Sequence, residues 1–535
     1  MIQVYNTLKK TKEEFQTIRP GEVGIYLCGP TVYKPSHIGH MVGPVIFDCI
    51  TRYLKYNGYA VRFVVNITDV DDKLIAESRA RGISMSALAE EMTKDYQANL
   101  AALGVDTITD FPKATDYIHQ IIQFIEKLVA QDFAYSAEGD VYFDISRFNE
   151  YGKLSGRSPD QMLGEGGMTA SRKRNIADFA LWKSAKEGEP FWESPWGPGR
   201  PGWHIECSVM SQALLGDTFD IHGGGLDLVF PHHENEIAQS ECCTGKSYVK
   251  YWMHNGLMQA SSEVGKVGGR KTRDAQNAGN DEPEVGNLAS QEAGKISKSK
   301  GASAFREMLE EFSGEVIRFF VLSSHYRRPI DFSTERIRQV EVGMETFYRF
   351  IKRFQQITGE SFYELDFPEN RAEGDSLARQ LPGGFMEEVL KRREKYLQSM
   401  DDDFNTAGAI GELFELVRTL NRFVDEYDLE SLNVNYLERF GKEKVVLINE
   451  LKNGCRVFRE LAATLGMFRT EVVSEKESTE DEHLTADLMR ILIDLRTAAK
   501  KSKDFVTADM IRNRLREIGI ALEDRPGGTE WNKLN

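Results

Sequence analysis

Residues 24–67, GIYLCGPTVYKPSHIGHMVGPVIFDCITRYLKYNGYAVRFVVNI, decide the fold. Gly24-Ile25-Tyr26-Leu27 is an apolar run of strand length. After His40 the period changes. Val42, Val45, Ile46, Cys49, Ile50, Tyr53 and Leu54 recur at intervals of three and four, the spacing of one helical face, and Gly58 supplies a stop. Val61 to Ile67 is apolar and β-branched and reads as a second strand. A strand, a crossover helix and another strand predict a parallel α/β sheet.

Outward from this unit the pattern varies. Residues 70–131 are mostly helical in period. Residues 132–200 alternate glycine, proline, tryptophan and charge, as an inserted module does. The α/β pattern returns at Asp217-Thr218-Phe219-Asp220-Ile221-His222, followed by Gly223-Gly224-Gly225. Residues 260–294 are dominated by Ser, Gly, Asn, Asp and Glu, a composition that predicts disorder. Helical patterns prevail from 335, and a polar linker is expected near 472–483. A small terminal unit follows, ending Gly527-Gly528-Thr529-Glu530-Trp531. No internal repeat is found.

The 535-residue chain is 41% hydrophobic and 28% charged, the composition of a folded protein of roughly three or four domains. No apolar run approaches the ~20 residues that span a bilayer, so no membrane is expected as a partner. The start, Met1-Ile2-Gln3-Val4-Tyr5, lacks the marks of a signal peptide. Six cysteines in so long a chain make no disulfide framework, which fits a reducing cytoplasm. Cys49, Cys242, Cys243 and Cys455 read as plain core or surface thiols. A net charge of −16 argues weakly against nucleic acid as a partner, although a basic face can sit on an acidic protein.

Cys28, Cys207, His232 and Glu236 form a candidate zinc site, since zinc accepts sulfur, imidazole nitrogen and carboxylate oxygen. Pro231 suits a helix first turn, which would put His232 and Glu236 four apart on one face. His233 and Glu234 compete as ligands but would point away from that face. Cys28 and Cys207 would arrive from the ends of two other elements. On spacing alone, a His/Glu pair of this kind more often belongs to a solvated surface.

His37-Ile38-Gly39-His40 follows a strand and opens a helix, whose first N–H groups attract phosphate. Gly39 permits close approach, and the two imidazoles can donate to phosphate oxygens. The bland alternative is a pair of exposed histidines at a cap. Lys295-Ile296-Ser297-Lys298-Ser299-Lys300-Gly301 sets cations on a polar loop. Alone it reads as a basic turn; with the histidine motif it reads as a mobile clamp over a triphosphate.

Seven segments, taken together and in order, resemble the cysteinyl-tRNA synthetase family of class I aminoacyl-tRNA synthetases. They are Cys28–Tyr33, His37–His40, Asn66–Asp69, Gly202–Cys207, Phe230–Glu236, Tyr251–Gly256 and Lys295–Ser299. The resemblance runs from the start to Trp531. It implies an α/β fold: a Rossmann-type parallel-sheet catalytic domain with an inserted connective module, then a helical-bundle tRNA-binding domain and a small C-terminal domain. The expected bounds are 1–131 and 201–259 for the two catalytic halves and 132–200 for the module. The 260–294 insertion and a signature-loop and junction region of 295–334 come next. The helical domain takes 335–471 and the anticodon-binding unit 484–535.

The resemblance further implies one Zn²⁺ on Cys28, Cys207, His232 and Glu236, and Mg²⁺ with ATP. It places ATP on His37, Gly39, His40, Gly225, Asp227 and Lys298, with His37, His40, Lys295 and Lys298 acting in catalysis. Gly29, Thr68 and Trp203 match positions of the amino-acid pocket. The implied partners are ATP, L-cysteine and the tRNA for cysteine, and the implied protein is a cytoplasmic monomer. Zinc would select the thiol over serine's hydroxyl. Arg512, Arg514, Arg516, Arg525 and Trp531 would suit tRNA contact. The sequence departs from the family at Ile296, where methionine is usual, and at 260–294, where the usual connection is short. Two other readings share some of the motifs: a ligase joining cysteine to an amino sugar, and a catalytically silent synthetase-like binding protein.

Overall fold

The computed structural model describes residues 1–157, 172–260, 305–381, 383–431, 442–471, 475–517, 520–525 and 528–533. The 260–294 insertion beyond its first residue, and the Lys295–Gly301 loop, lie outside the described residues. The chain divides into two compact units, Met1–Arg469 and Thr470–Asn535.

The first unit is built on a four-stranded parallel sheet. Its strands are β3 (Glu22–Leu27), β4 (Ala60–Val65), β9 (Phe219–Gly225) and β10 (Val249–Asn255), in the order β10-β9-β3-β4. An antiparallel hairpin, β1 (Gln3–Asn6) and β2 (Thr11–Glu14), precedes it. Strand, helix and strand are as expected, each lengthened or trimmed by a residue or two. The crossover helix α1 (Ile38–Tyr56) starts earlier than its apolar stripe, because His37 caps it. After it the chain passes through Gly58 at a φ of +90°, a conformation that favours glycine. Connections run one way from β3 to β4 and the other way at β9, so the switch point falls between β3 and β9. In such sheets ligands bind outside the strands' C-terminal ends at the switch point.

Helices α2 (Asp72–Arg81), α3 (Met85–Ala102) and α4 (Ile118–Ala130) fill the stretch read as helical. The following module is a four-stranded antiparallel sheet of β5 (Ala134–Ala137), β6 (Asp140–Phe143), β7 (Phe179–Ser184) and β8 (Gly199–Pro201). It carries an apolar core of its own, including Val141, Phe143, Leu181 and Trp182, shared with α4. Helix α5 (Trp203–Leu215) returns the chain to the parallel sheet, and α6 (Glu234–Thr244) links β9 to β10.

Strand β11 (Met258–Ala260) pairs in parallel with β12 (Ile330–Phe332), flanking α7 (Phe305–Glu311) and α8 (Gly314–Leu322) in sequence. Helices α9 (Thr334–Thr358), α10 (Arg371–Gln380), α11 (Gly384–Asp401), α12 (Thr406–Glu426) and α13 (Lys442–Thr464) complete the unit. Their core is continuous with that of α1 and the sheet. Helix α1 is buried on several sides, which explains why apolar residues exceed a single stripe.

The second unit has α14 (Glu475–Lys501), α15 (Phe505–Glu517) and the hairpin β13 (Ile520–Arg525) and β14 (Gly528–Lys533). The polar stretch expected as a linker is largely helical: Glu475–His483 are the first turns of α14. That stretch holds no glycine or proline and is rich in glutamate, so polarity alone does not break a helix there. Trp531 packs against Met489, Leu515 and Leu522, while Arg512, Arg514 and Arg516 are exposed. No helix among the described residues is long and apolar enough to cross a membrane.

Candidate metal centre and active site

Cys28 directly follows β3, and Cys207 lies in the second turn of α5. Glu236 is in the first turn of α6. His232 lies just before that helix, in a turn over Val229–His233. Pro231 belongs to this turn and not to the helix first turn expected for it. The four donor atoms nevertheless converge, all within 4.8 Å of one another.

Their spacing suits a tetrahedral ion. Cys28 Sγ and Cys207 Sγ are 3.8 Å apart, and two thiolates bound tetrahedrally at about 2.3 Å from zinc stand about 3.8 Å apart. Cys28 Sγ is 3.6 Å from Glu236 Oε1, again the separation of about 3.6 Å that zinc–sulfur and zinc–oxygen distances give. His232 Nε2 is 3.0 Å from the same oxygen. Mixed sulfur, nitrogen and oxygen donors, nearly all buried, fit zinc. The Tyr26 hydroxyl, buried and shifted well above its usual pKa by burial and then by the Cys207 and Cys28 thiols, has no hydrogen-bonding partner among the described residues.

His232 and the acidic donors Glu236 and Cys207 support one another's charge, whereas Glu236 opposes charge on both thiols. The hydrogen bond from Cys28 and then that from His232 bring Cys207 below the usual thiol range. Burial raises Cys28. Burial disfavours a charged His232, but Glu236 and Cys207 outweigh it and raise it to about 10. Burial likewise opposes a charged Glu236, yet His222 and His232 hold it well below the usual carboxyl range.

His233 departs from expectation. It does not point away: its Nε2 is 3.4 Å from Cys28 Sγ, and its Nδ1 is 2.7 Å from His254 Nε2. The chain turns through Val229–His233 before α6 begins, so an ideal helical wheel does not apply. Gly224 makes room, because a Cβ there would lie 2.6 Å from the His233 ring. Glu234 does face away, accepting from the backbone N–H groups of Gly152 and Ser155 at 3.0 and 2.8 Å. Cys28, His222, His233 and Glu236 form a second, overlapping donor set. His222 went unnoticed in the sequence. Its signal was the alternation at Ile221-His222: Ile221 faces the core shared with Ile25 and Tyr251, and His222 faces the other side of β9 with Tyr26 and Phe219.

The other residues that the resemblance assigns to the site lie on or next to neighbouring elements. The exposed Trp203 begins α5, its ring 4.3 Å from that of His232 between centroids. His232 Nδ1 is held by His204 Nδ1 at 2.9 Å. The Thr68 hydroxyl donates to Glu206 at 3.1 Å, one residue before Cys207. Gly29 N–H donates to Asn66 Oδ1 at 2.8 Å, and a Cβ on Gly29 would strike the Asn66 carbonyl oxygen at 1.8 Å, so only glycine fits. Gly225 ends β9 opposite Asn255 of β10, and Asp227 lies in the turn that follows.

At the start of α1, His37 Nδ1 accepts from Gly39 N–H at 3.1 Å, and His40 Nδ1 accepts from His37 N–H at 3.4 Å. Each neutral ring then carries its hydrogen on Nε2, as a donor. Lys295 and Lys298 lie outside the described residues.

Residues 14–266 match the family model for the tRNA synthetases class I (C) catalytic domain, and residues 395–469 match the DALR domain. The chain is 42% identical to a cysteine–tRNA ligase of Geobacter metallireducens, over 99% of each chain. The chain belongs to the cysteine–tRNA ligase family. It is also 41% identical to the cysteine–tRNA ligase of Clostridioides difficile, over all of both chains. To that of Thermococcus onnurineus it is 39% identical, over 100% of this chain and 99% of the relative. Among solved structures, Mycobacterium tuberculosis methionyl-tRNA synthetase in complex with methionyl-adenylate matches with a TM-score of 0.55 at 14% identity. That match covers 83% of this chain and 91% of the other, a likeness of fold.

Proposed function

We infer that this chain ligates L-cysteine to its tRNA through a cysteinyl adenylate, releasing AMP and pyrophosphate. The observation that carries this is the Cys28–Cys207–His232–Glu236 cluster at the switch point of the parallel sheet. It lies in a chain that matches cysteine–tRNA ligases along 99% of its length.

The cysteine carboxylate attacks the α-phosphate of ATP, and a ribose hydroxyl of the tRNA's terminal adenosine then attacks the adenylate. No covalent enzyme intermediate is needed, so the protein acts by positioning and by stabilising charge. Cys28, Cys207, His232 and Glu236 hold zinc, which supplies a soft site that takes a thiolate and disfavours serine's hydroxyl. Thr68, Gly29 and Trp203 line the pocket around the amino acid. His37 and His40 present Nε2–H donors to the phosphates beside the N–H groups that open α1. Gly39, Gly225 and Asp227 border the nucleotide, and Lys295 and Lys298 close over the phosphates. Mg²⁺ accompanies ATP.

The catalytic fold takes residues 1–131 and 201–259 around the 132–200 module. The 295–334 region carries the signature loop, and 335–471 carries the tRNA. The terminal unit reads the tRNA far from its acceptor end, with Arg512, Arg514 and Arg516 on its surface. The protein works as a cytoplasmic monomer.

The test is two assays on the purified chain: cysteine-dependent exchange of pyrophosphate into ATP, and transfer of labelled cysteine to tRNA. Both reactions are expected. Exchange without transfer would point to a different cysteine acceptor, and neither reaction would leave a binding protein.

A further inference from the structure

We propose that His222 and Tyr248 are positioning residues that hold Glu236 as a single-oxygen metal ligand, which keeps one coordination position open for the substrate thiol. The proposal rests on the zinc site described above.

The two oxygens of the buried Glu236 carboxylate face different neighbours. Oε1 faces the donor cluster, 3.0 Å from His232 Nε2 and 3.6 Å from Cys28 Sγ. Oε2 faces the protein. It accepts from His222 Nε2 at 2.9 Å and from the Tyr248 hydroxyl at 3.1 Å. Turning the carboxylate to offer both oxygens to a metal would break both bonds in a site with no water-exposed replacement, since His222, Tyr248 and Glu236 are all buried.

Both holders are fixed in turn. The His222 ring stacks on Trp252, 4.5 Å away and 19° from parallel, and the two residues are register partners on β9 and β10. On its other side His222 is the register partner of Tyr26 on β3. The Tyr248 hydroxyl is 2.7 Å from Ser211 Oγ, and its ring stands edge-on to Phe219. His222, Trp252, Tyr26 and Phe219 stand on strands and Ser211 on α5, elements that hold a ligand most accurately, and Tyr248 immediately precedes β10.

The same geometry excludes His222 Nε2 as a ligand atom in the second donor set. A ring nitrogen that donates its N–H to a carboxylate has no lone pair there for a metal. His222 Nδ1 has no hydrogen-bonding partner among the described residues, as expected if the ring's hydrogen is on Nε2. With Glu236 limited to one oxygen, the four protein donors leave room for a thiolate. With both oxygens turned inward, Glu236 would take that room itself.

The test uses the full chain, stripped of metal and titrated with zinc against a competing chelator. A parallel sample takes cobalt, whose visible spectrum reports coordination with and without cysteine. Tyr248→Phe keeps the ring and removes only the hydroxyl. His222→Leu removes the other donor, and His222→Gln retains an N–H. Tyr248→Phe and His222→Leu are expected to weaken zinc binding about 10- to 100-fold. They should also shrink the spectral change that cysteine produces at cobalt, with His222→Gln recovering part of both. Wild-type zinc affinity and an unaltered cobalt response in Tyr248→Phe would overturn the proposal, whatever becomes of the folding of His222→Leu. A wild-type chain that takes up no zinc would instead overturn the zinc site on which the proposal rests.

Discussion

Asp48 of α1 and Arg318 of α8, 270 positions apart in sequence, form a buried ion pair with 2.5 Å between Oδ2 and the guanidinium Nη2. Arg52 joins the same oxygen at 2.8 Å, and Thr107 donates to the other at 2.7 Å. Arg318 also donates to the carbonyls of Leu103 and Leu465 at 3.2 and 2.8 Å. The helix that opens with His37 and His40 is thereby tied to the helical region behind it.

Asp48→Asn would leave Arg318 buried without its counter-charge. A cost of about 3–5 kcal/mol is expected, read as a lower midpoint of denaturant unfolding. A variant as stable as the wild type would show that the carbonyls satisfy Arg318 unaided.

Acid should act through the same pair. Burial raises Asp48, but Arg318 and Arg52 outweigh it and hold the carboxyl down at about 2. A depressed pKa contributes stability that is complete above the unfolded value of about 3.9 and is lost as pH falls through about 2. The share at stake is about 2 kcal/mol. Unfolding measured between pH 5 and 2 should show this loss in the wild type and lack it in Asp48→Asn.

His37 caps α1 through Nδ1, and the proposed function gives its Nε2 a second, separable duty towards the nucleotide. Asparagine also caps well. His37→Asn should therefore unfold at nearly the wild-type temperature yet lose about 10²-fold in pyrophosphate exchange. Unchanged exchange would reduce His37 to a cap.

Much of this was legible in the sequence, for identifiable reasons. Val42 to Leu54 keep a strict helical period, and Val61 to Val65 run apolar, so the crossover unit could be read directly. The donor cluster was less so, because Cys28 and Cys207 meet only through tertiary folding. His233 was misjudged because a helical wheel was applied to residues that precede the helix. The alternation along β9 could have flagged His222, but the part proposed for it and for Tyr248 had no local sign, since it depends on the two oxygens of a carboxylate more than ten residues away. Glu475–His483 were misjudged in the other direction, where a polar composition concealed a helix.

The chain divides into two compact units at Arg469 and Thr470, and the proposed function gives activation to the first and tRNA reading to the second. A chain ending at Arg469 retains the sheet, the donor cluster and α1. It is expected to keep pyrophosphate exchange nearly intact while charging tRNA less well, mainly through a higher KM for tRNA. Equal losses in both reactions would indicate that the terminal unit supports stability instead.

The most direct measurement compares cysteine- and serine-dependent pyrophosphate exchange by zinc-loaded and zinc-depleted protein, alongside Cys207→Ala. The loaded protein should bind one zinc per chain and exchange with cysteine but not with serine. Depletion and Cys207→Ala should both abolish the zinc and the exchange together. Wild-type exchange by a zinc-free protein, or exchange with serine as readily as with cysteine, would contradict a zinc-selected cysteine ligase.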